Sequence, residues 1–444
     1  MSIDREFSRR DFVKSAVAAG TGILVAGSGA VRANDKDRKR YALVGTGHRG
    51  TSMWGVDLAK RYPDKLEFVG LCDKNPKRAL AGRALIGVDC PTFTDFDEML
   101  AKTKPEILMV TTVDSTHHQF ITKALAKGIK VMTEKPMVTE ASQCQAVLDA
   151  ERAHKNPLVV TFNYRYSPKH EKIKQIISSG EIGEVTSVDF SWYLDTSHGA
   201  DYFRRWHRLK SGGGSLWVHK ATHHFDLINW WLAADPVEVS AYGALNVYGK
   251  KGTFRGKNCR NCEFAPTCSY YWDLRKNERL MKLYAECEDV DNYYRDGCVF
   301  REDCDIYDTM SAIVKYNSGV SMSYSLNAAM PYEGYQLSFN GTKGRFDIRD
   351  FERQPWKVER PTVAYLTKNF SGKRVEIEMP TGNGGHGGGD DRLRDIIFRD
   401  LEVPDYWKLP SARAGAMSCL TGIAARTSIE QSRPIKIGEL VKFT

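Results

Sequence analysis

Over its first third the chain alternates short apolar runs with longer stretches in which apolar residues recur every three or four positions. The runs at 40–44, 66–72, 106–112, 130–133 and 157–163 are rich in Val, Leu, Ile and Met, and predict strands buried on both faces. The stretches at 51–61, 95–102, 116–127 and 142–154 predict helices. Strands and helices alternating at these lengths make βα units, so the expected fold class is α/β with a doubly wound parallel sheet. Ligands of such sheets bind at the carboxyl ends of the strands. Gly45, Asp73, Thr111, Thr112, Glu134, Lys135 and Asn163 all fall on that edge.

The loop after the first strand reads Gly45-Thr46-Gly47-His48-Arg49-Gly50. Its first glycine permits a tight turn, its second a close approach of backbone to a pyrophosphate, its third close packing of helix on strand. The helix that follows turns free N–H groups toward the phosphates. Asp73 ends the second strand, where it is expected to accept hydrogen bonds from both ribose hydroxyls of NAD. Strand, loop, helix, strand and acid together predict a Rossmann dinucleotide-binding domain. NADP is the alternative cofactor, because Lys74, Lys77 and Arg78 would attract a 2′-phosphate that Asp73 repels.

A length of 444 residues implies two domains plus appendages. The formal charge of +9 falls to +7 when residues 1–33, with five basic and three acidic groups, are set aside. The Lys and Arg residues are scattered singly, which argues against nucleic acid and for a small-molecule partner. At the amino terminus, Ser8-Arg9-Arg10-Asp11-Phe12-Val13-Lys14 precedes a Gly-rich apolar run at 16–30 and then Val31-Arg32-Ala33. This segment resembles a twin-arginine (Tat) export signal, expected over 1–33, and implies a periplasmic or exported protein. The run is too short to span a bilayer and no other stretch is long and apolar enough, so no stable membrane insertion is expected.

Farther along, Thr112-Val113-Asp114-Ser115-Thr116-His117, Glu134-Lys135-Pro136 and Asn163-Tyr164-Arg165-Tyr166-Ser167-Pro168 follow in order. Gly213-Gly214-Ser215-Leu216 then leads to His223-His224-Phe225-Asp226. With the glycine loop, these motifs resemble the Gfo/Idh/MocA oxidoreductase family over residues 39–440. The resemblance implies a Rossmann domain at 34–160, then an α+β domain at 161–440 with an open, mostly antiparallel sheet, interrupted by a Cys-rich insertion at 250–305. It implies a sugar, glycoside or polyol substrate and a homo-oligomer, dimer or tetramer. It makes Lys135 the lysine beside the nicotinamide and His223 the catalytic histidine. Gly45, Thr46, Gly47, His48, Arg49, Asp73, Thr112, His117, Glu134 and Asn163 then line the cofactor. Tyr164, Arg165, Trp206, Lys220 and His386 are the expected substrate contacts. One departure stands out: where many relatives carry an aspartate, four residues before the catalytic histidine, this chain has His219.

Oxidising a secondary alcohol requires a base near the hydroxyl with a pKa close to the working pH. Imidazole meets that need, and burial beside a cationic ring lowers a lysine toward it. Lys135, His223 and His219 are therefore the candidate catalytic groups, with base and polariser interchangeable between Lys135 and His223. His219 and His223, four apart, would share a helix face and could hold a divalent ion. The sequence offers no third ligand and Lys220 would repel a cation, so no metal is expected. The Gly-rich stretch 384–391 is either a loop over the ligand or a plain connection. Trp192, Tyr193, Trp206 and Trp217 are candidate platforms for a sugar ring. Cys259, Cys262, Cys268, Cys287, Cys298 and Cys304 crowd the insertion, read as a stapled flap; disulfides, zinc and an iron–sulfur cluster all remain open. Two activities compete: a dehydrogenase or reductase with a tightly bound, recycled cofactor, and an NAD-dependent glycosidase or lyase that oxidises, eliminates and re-reduces.

Overall fold

Six short apolar strands build the first layer: β1 (Lys39–Val44), β2 (Leu66–Cys72), β3 (Thr92–Phe93), β4 (Ile107–Val110), β5 (Lys130–Thr133) and β6 (Leu158–Val160). A computed structural model describes residues 38–358, 361–399 and 401–443, so the segment read as an export signal lies outside the described residues. All six strands pair in parallel in the order β3-β2-β1-β4-β5-β6. Strand order reverses between β1 and β4, and the crevice opened there lies at the carboxyl ends of the strands. The α/β class and five of the six strands agree with the apolar pattern. Strand β3 and the helix Pro76–Ile86 escape it, because that helix is Ala- and Arg-rich with no apolar stripe. Its signals are local: Asn75 caps the Arg78 N–H and Pro76 opens the first turn.

The second layer is a nine-stranded mixed sheet. Its members are β7 (Val185–Asp195), β8 (Pro236–Ala244), β9 (Thr309–Tyr316), β10 (Ser321–Met330), β11 (Glu333–Gly341), β12 (Gly344–Arg353), β13 (Val363–Lys368), β14 (Arg374–Glu378) and β15 (Ile435–Lys436). Their order is β14-β13-β12-β11-β7-β10-β9-β8-β15, antiparallel except for the β7–β10 pair. Strict alternation of buried and exposed positions along β9, continued by buried and more accessible positions along most of β10, shows one face covered and one open.

The helix Ala412–Gln431 ties the layers together. It packs on β6 and β8 and is buried along most of its length. Small residues make this approach feasible: a Cβ on Gly422 would stand 2.2 Å from the Trp217 carbonyl oxygen. The helix Gly389–Phe398 likewise returns to the first sheet, where Leu393, Ile396 and Phe398 share a core with Tyr41, Trp54 and Tyr62. The insertion, expected to be stapled, carries no disulfide: all ten cysteines are free. Among the described residues no helix is long and apolar enough to cross a membrane.

Candidate active site

The glycine loop is built as its spacing predicts. Gly45 sits at φ +92°, and a Cβ there would stand 2.6 Å from the Thr111 carbonyl. A Cβ on Gly50 would meet the Gly45 carbonyl oxygen at 2.2 Å. Only glycine lets the turn and the helix start close this tightly, and the cradle fits a dinucleotide. Asp73, expected to face ribose hydroxyls, is held in place from within the loop. One oxygen accepts from the Thr46 N–H at 2.9 Å and the Thr46 hydroxyl, the other from the Asn75 N–H at 2.9 Å. Arg78 lies 3.3 Å away.

An arm of the insertion settles on this edge, a placement that the sequence does not announce. The Tyr284 hydroxyl accepts the His48 N–H at 2.8 Å, at the start of the phosphate-facing helix. Asn75 donates to the Cys287 carbonyl and Arg78 to that of Leu283. Arg78 also pairs with Asp291 at 2.7 Å and Lys77 with Asp289 at 2.5 Å. Two of the three cations that would attract a 2′-phosphate are therefore matched by acids of the arm, which leaves the edge suited to NAD.

At the other end of the crevice, Lys135 follows β5 and donates to the His219 carbonyl at 3.0 Å. Withdrawal from water lowers its ammonium to about 8. His219 Nδ1 lies 2.5 Å from Asp114 Oδ2, so Asp114 supplies, from the first sheet, the carboxylate missing at position 219. The His207 ring stands 3.9 Å from that of His219 and carries Trp206 stacked at 3.5 Å. Tyr202 meets both histidines edge-on. Burial holds His207 and His219 neutral and raises Asp114. The three offer ligand atoms within 4.8 Å of one another. A cation placed among them would face the charges of Lys135 and Arg205, both of which oppose protonation of the cluster. The arrangement suits proton handling better.

His219 and His223 do not share one helix face as expected. The helix Leu216–His219 ends at Lys220, and a separate helix, Ala221–Leu232, follows. His223 packs on Tyr164 at 4.6 Å, its Nδ1 buried without a partner. Lys220 lies over the rings of Trp192 and Tyr164, at 5.0 and 5.6 Å. His224 is a core residue, stacked on Trp192 at 4.2 Å with Nδ1 2.7 Å from the Tyr324 hydroxyl.

The Gly-rich loop does fold back onto the site. His386 Nδ1 lies 3.0 Å from Asp390, which also accepts from Asn163 at 2.5 Å and approaches Arg49 at 3.5 Å. Arg49 and Asn163 thus belong to one polar network, and Arg49 lowers the Asp390 carboxyl far below its usual range. Four sets of the expected site residues already have partners within the protein. Glu134, assigned to the cofactor, accepts from Arg49 and the Trp54 indole, both at 2.7 Å. Both ring nitrogens of His117 meet backbone carbonyls, of Pro136 and Thr112, so this ring braces the turn that carries Lys135. Arg165, assigned to substrate, is locked in a buried two-point pair with Asp226 at 2.7 and 2.5 Å. Trp192 and Trp217 belong to the core, and Tyr193 packs on Tyr332. Reasoning from sequence missed Asp114, His207, Tyr202 and Tyr284. Asp114 stood in a recognised motif turn, but nothing in its spacing linked it to a residue 105 positions away.

Two family profiles match the chain: an oxidoreductase family with an NAD-binding Rossmann fold at 39–162, and that family's C-terminal alpha/beta domain at 174–437. YteT of Bacillus subtilis (strain 168) is 40% identical over 426 residues, 91% of this chain and 99% of its own length. The inositol 2-dehydrogenase of Burkholderia lata is 30% identical over 46% of this chain and 57% of its own. Among solved structures, the WlbA dehydrogenase of Bordetella pertussis, in complex with NADH and UDP-GlcNAcA, aligns over 90% of this chain and 98% of its own. Its TM-score is 0.61 at 18% identity. The aldose-aldose oxidoreductase of Caulobacter crescentus, complexed with glycerol, aligns over 90% and 99%, with a TM-score of 0.59 at 16% identity. At these identities the structural matches show the fold.

Proposed function

The chain belongs to the Gfo/Idh/MocA oxidoreductase family, and from that premise we propose that it oxidises a secondary alcohol of a sugar, glycoside or polyol with a tightly held, recycled NAD. The observation that carries the reading is the group around Lys135: a lysine lowered to about 8, tied to the backbone of a histidine that is itself paired with Asp114. The inositol 2-dehydrogenase relative names a polyol as its substrate, which supports the substrate class.

The glycine loop, Thr46 and Thr112 would hold the nucleotide, with His386 and Asn163 at the cleft. NAD, when bound, supplies the acceptor for a hydride leaving carbon. The chain's own task is the proton. A neutral Lys135 amine takes it from the substrate hydroxyl, and the ammonium so formed is stabilised by Asp114. Contact with Asp114 at Nδ1 orients His219 and leaves its other nitrogen as the second proton carrier. His223, held neutral by burial, flanks the same cleft. Trp206, Tyr202 and Lys220 offer a ring face, a hydroxyl and a charge to a polyol.

The arm over the nucleotide edge favours a cofactor that stays bound, so the reaction closes its own redox cycle through paired substrates. It equally favours the second reading, glycoside cleavage by oxidation, elimination and re-reduction. Releasing the nucleotide from purified protein, identifying it, and incubating fresh protein with glycosides tests both. Ketosugar formed with NADH supports the first, aglycone released at constant nucleotide redox state supports the second, and protein that neither holds nor takes up NAD or NADP sinks both. We also infer export, supported by Arg9, Arg10 and the apolar run after them. Fusing residues 1–33 to a reporter, with and without Arg9→Lys and Arg10→Lys, tests it. Tyr242 and Ile313, exposed on the open face of the second sheet, support a homo-oligomer that light scattering would detect.

A further inference from the structure

The insertion brings four cysteines to the wall of one hollow. Cys259, Cys262 and Cys268 arrive on one loop, spaced C-x2-C-x5-C, and Cys298 on the returning segment. A bridge between Asn258 and Gly297 sets the two segments side by side, reinforced where Cys259 N–H donates to Asp296 and Cys298 N–H to Lys257. Phe254, Phe300 and Tyr270 shield the hollow in edge-on contacts.

Donors are aimed at the sulfurs. Arg204 places Nη1 3.2 Å from Cys259 Sγ, the Phe300 N–H lies 3.4 Å from Cys298 Sγ, and the Trp272 N–H also reaches Cys259. A cation and backbone amides directed at thiol sulfur are the outer contacts expected around a metal–thiolate site. The remaining cysteines of the insertion stand apart from this wall: the Cys287 thiol donates to the Lys282 carbonyl, and Cys304 packs near Gly249.

Spacing discriminates among ligands. The structure pairs none of these cysteines. A single tetrahedral zinc, with Zn–S near 2.3 Å, would draw its sulfurs to about 3.8 Å of one another. Among the described residues, no three of these sulfurs lie within 4.8 Å of each other. A polynuclear core spreads its thiolates around several atoms and accepts the wider set. We infer that Cys259, Cys262, Cys268 and Cys298 ligate an iron–sulfur cluster that organises the insertion. Arg204 ends the helix Thr196–Arg204, which carries Tyr202 into the cleft. The same insertion supplies the arm on the nucleotide edge, so the cluster would brace both borders of the crevice. This inference does not depend on the substrate proposed above.

The full chain, purified anaerobically from iron-supplemented cells, should contain iron and acid-labile sulfide in equal amounts and a visible absorption bleached by dithionite. Cys262→Ser and Cys268→Ser should each lose most of that iron, while Cys287→Ser keeps it. Stoichiometric zinc without sulfide, disulfides in unreduced peptide maps, or four thiols that stay metal-free after reconstitution with ferrous iron and sulfide would each overturn the assignment. Content of the unmutated protein decides even if a serine variant fails to fold.

Discussion

At the scale of single residues, Lys135 and Asp114 carry the sharpest expectations. Lys135→Met should lower kcat about a hundredfold or more while bound NAD is unchanged, since positioned acid–base groups contribute factors of that order. Because the neutral amine does the work, activity at saturating substrate should rise with pH and reach half its maximum near 8; a profile flat from 6 to 9 would remove Lys135 from that role. Asp114→Asn keeps the shape but removes the carboxyl that holds His219 and favours the Lys135 ammonium. A fall of about ten- to a hundredfold in kcat, with an altered pH profile, is expected. Lys135 was legible in the sequence because it follows a strand in a motif of fixed order. Asp114 as the partner of His219 was not, since their meeting depends on how the second domain folds over the first. Arg165 misled for the same reason: its neighbours in sequence lie in the cleft, but Asp226 claims it from below.

At the scale of elements, the first sheet was readable because each βα unit buries its own apolar run, a local property of the chain. The arm at 278–291 was unreadable, because its contacts with Arg78, Asn75 and the His48 N–H join segments more than 200 residues apart. Those contacts predict slow cofactor release. Tyr284→Phe removes one hydrogen bond, worth about 1 kcal/mol, and should speed nucleotide loss about fivefold. Nucleotide retained after repeated gel filtration measures it, and unchanged retention would count against the arm as a clamp. The helix Ala412–Gln431 makes a different prediction. Gly422→Ala forces a methyl to within 2.2 Å of the Trp217 carbonyl oxygen, and the required shift should cost about 1–3 kcal/mol, read as a lower Tm.

For the whole molecule, burial of neutral imidazoles couples stability to acid. His170, lowered to about 4, and His224, also far below its usual value, stay unprotonated in the fold. Below pH 6.5 the unfolded chain binds protons that the folded one refuses, so stability falls as pH drops, by about 1.4 kcal/mol per unit for each such group, until its folded pKa is passed. Denaturant titrations between pH 7 and 5 should show this slope, and His170→Gln should make it shallower by one group's share. The arm has a last consequence, for biogenesis. A dinucleotide that lies beneath a tethered segment has one free route in, and it exists only before the segment docks or while it is lifted. On the proposed reading the nucleotide would enter first and the insertion would dock over it. Refolding with the nucleotide withheld until late should therefore leave a population that closes without it and incorporates it only at the pace of reopening.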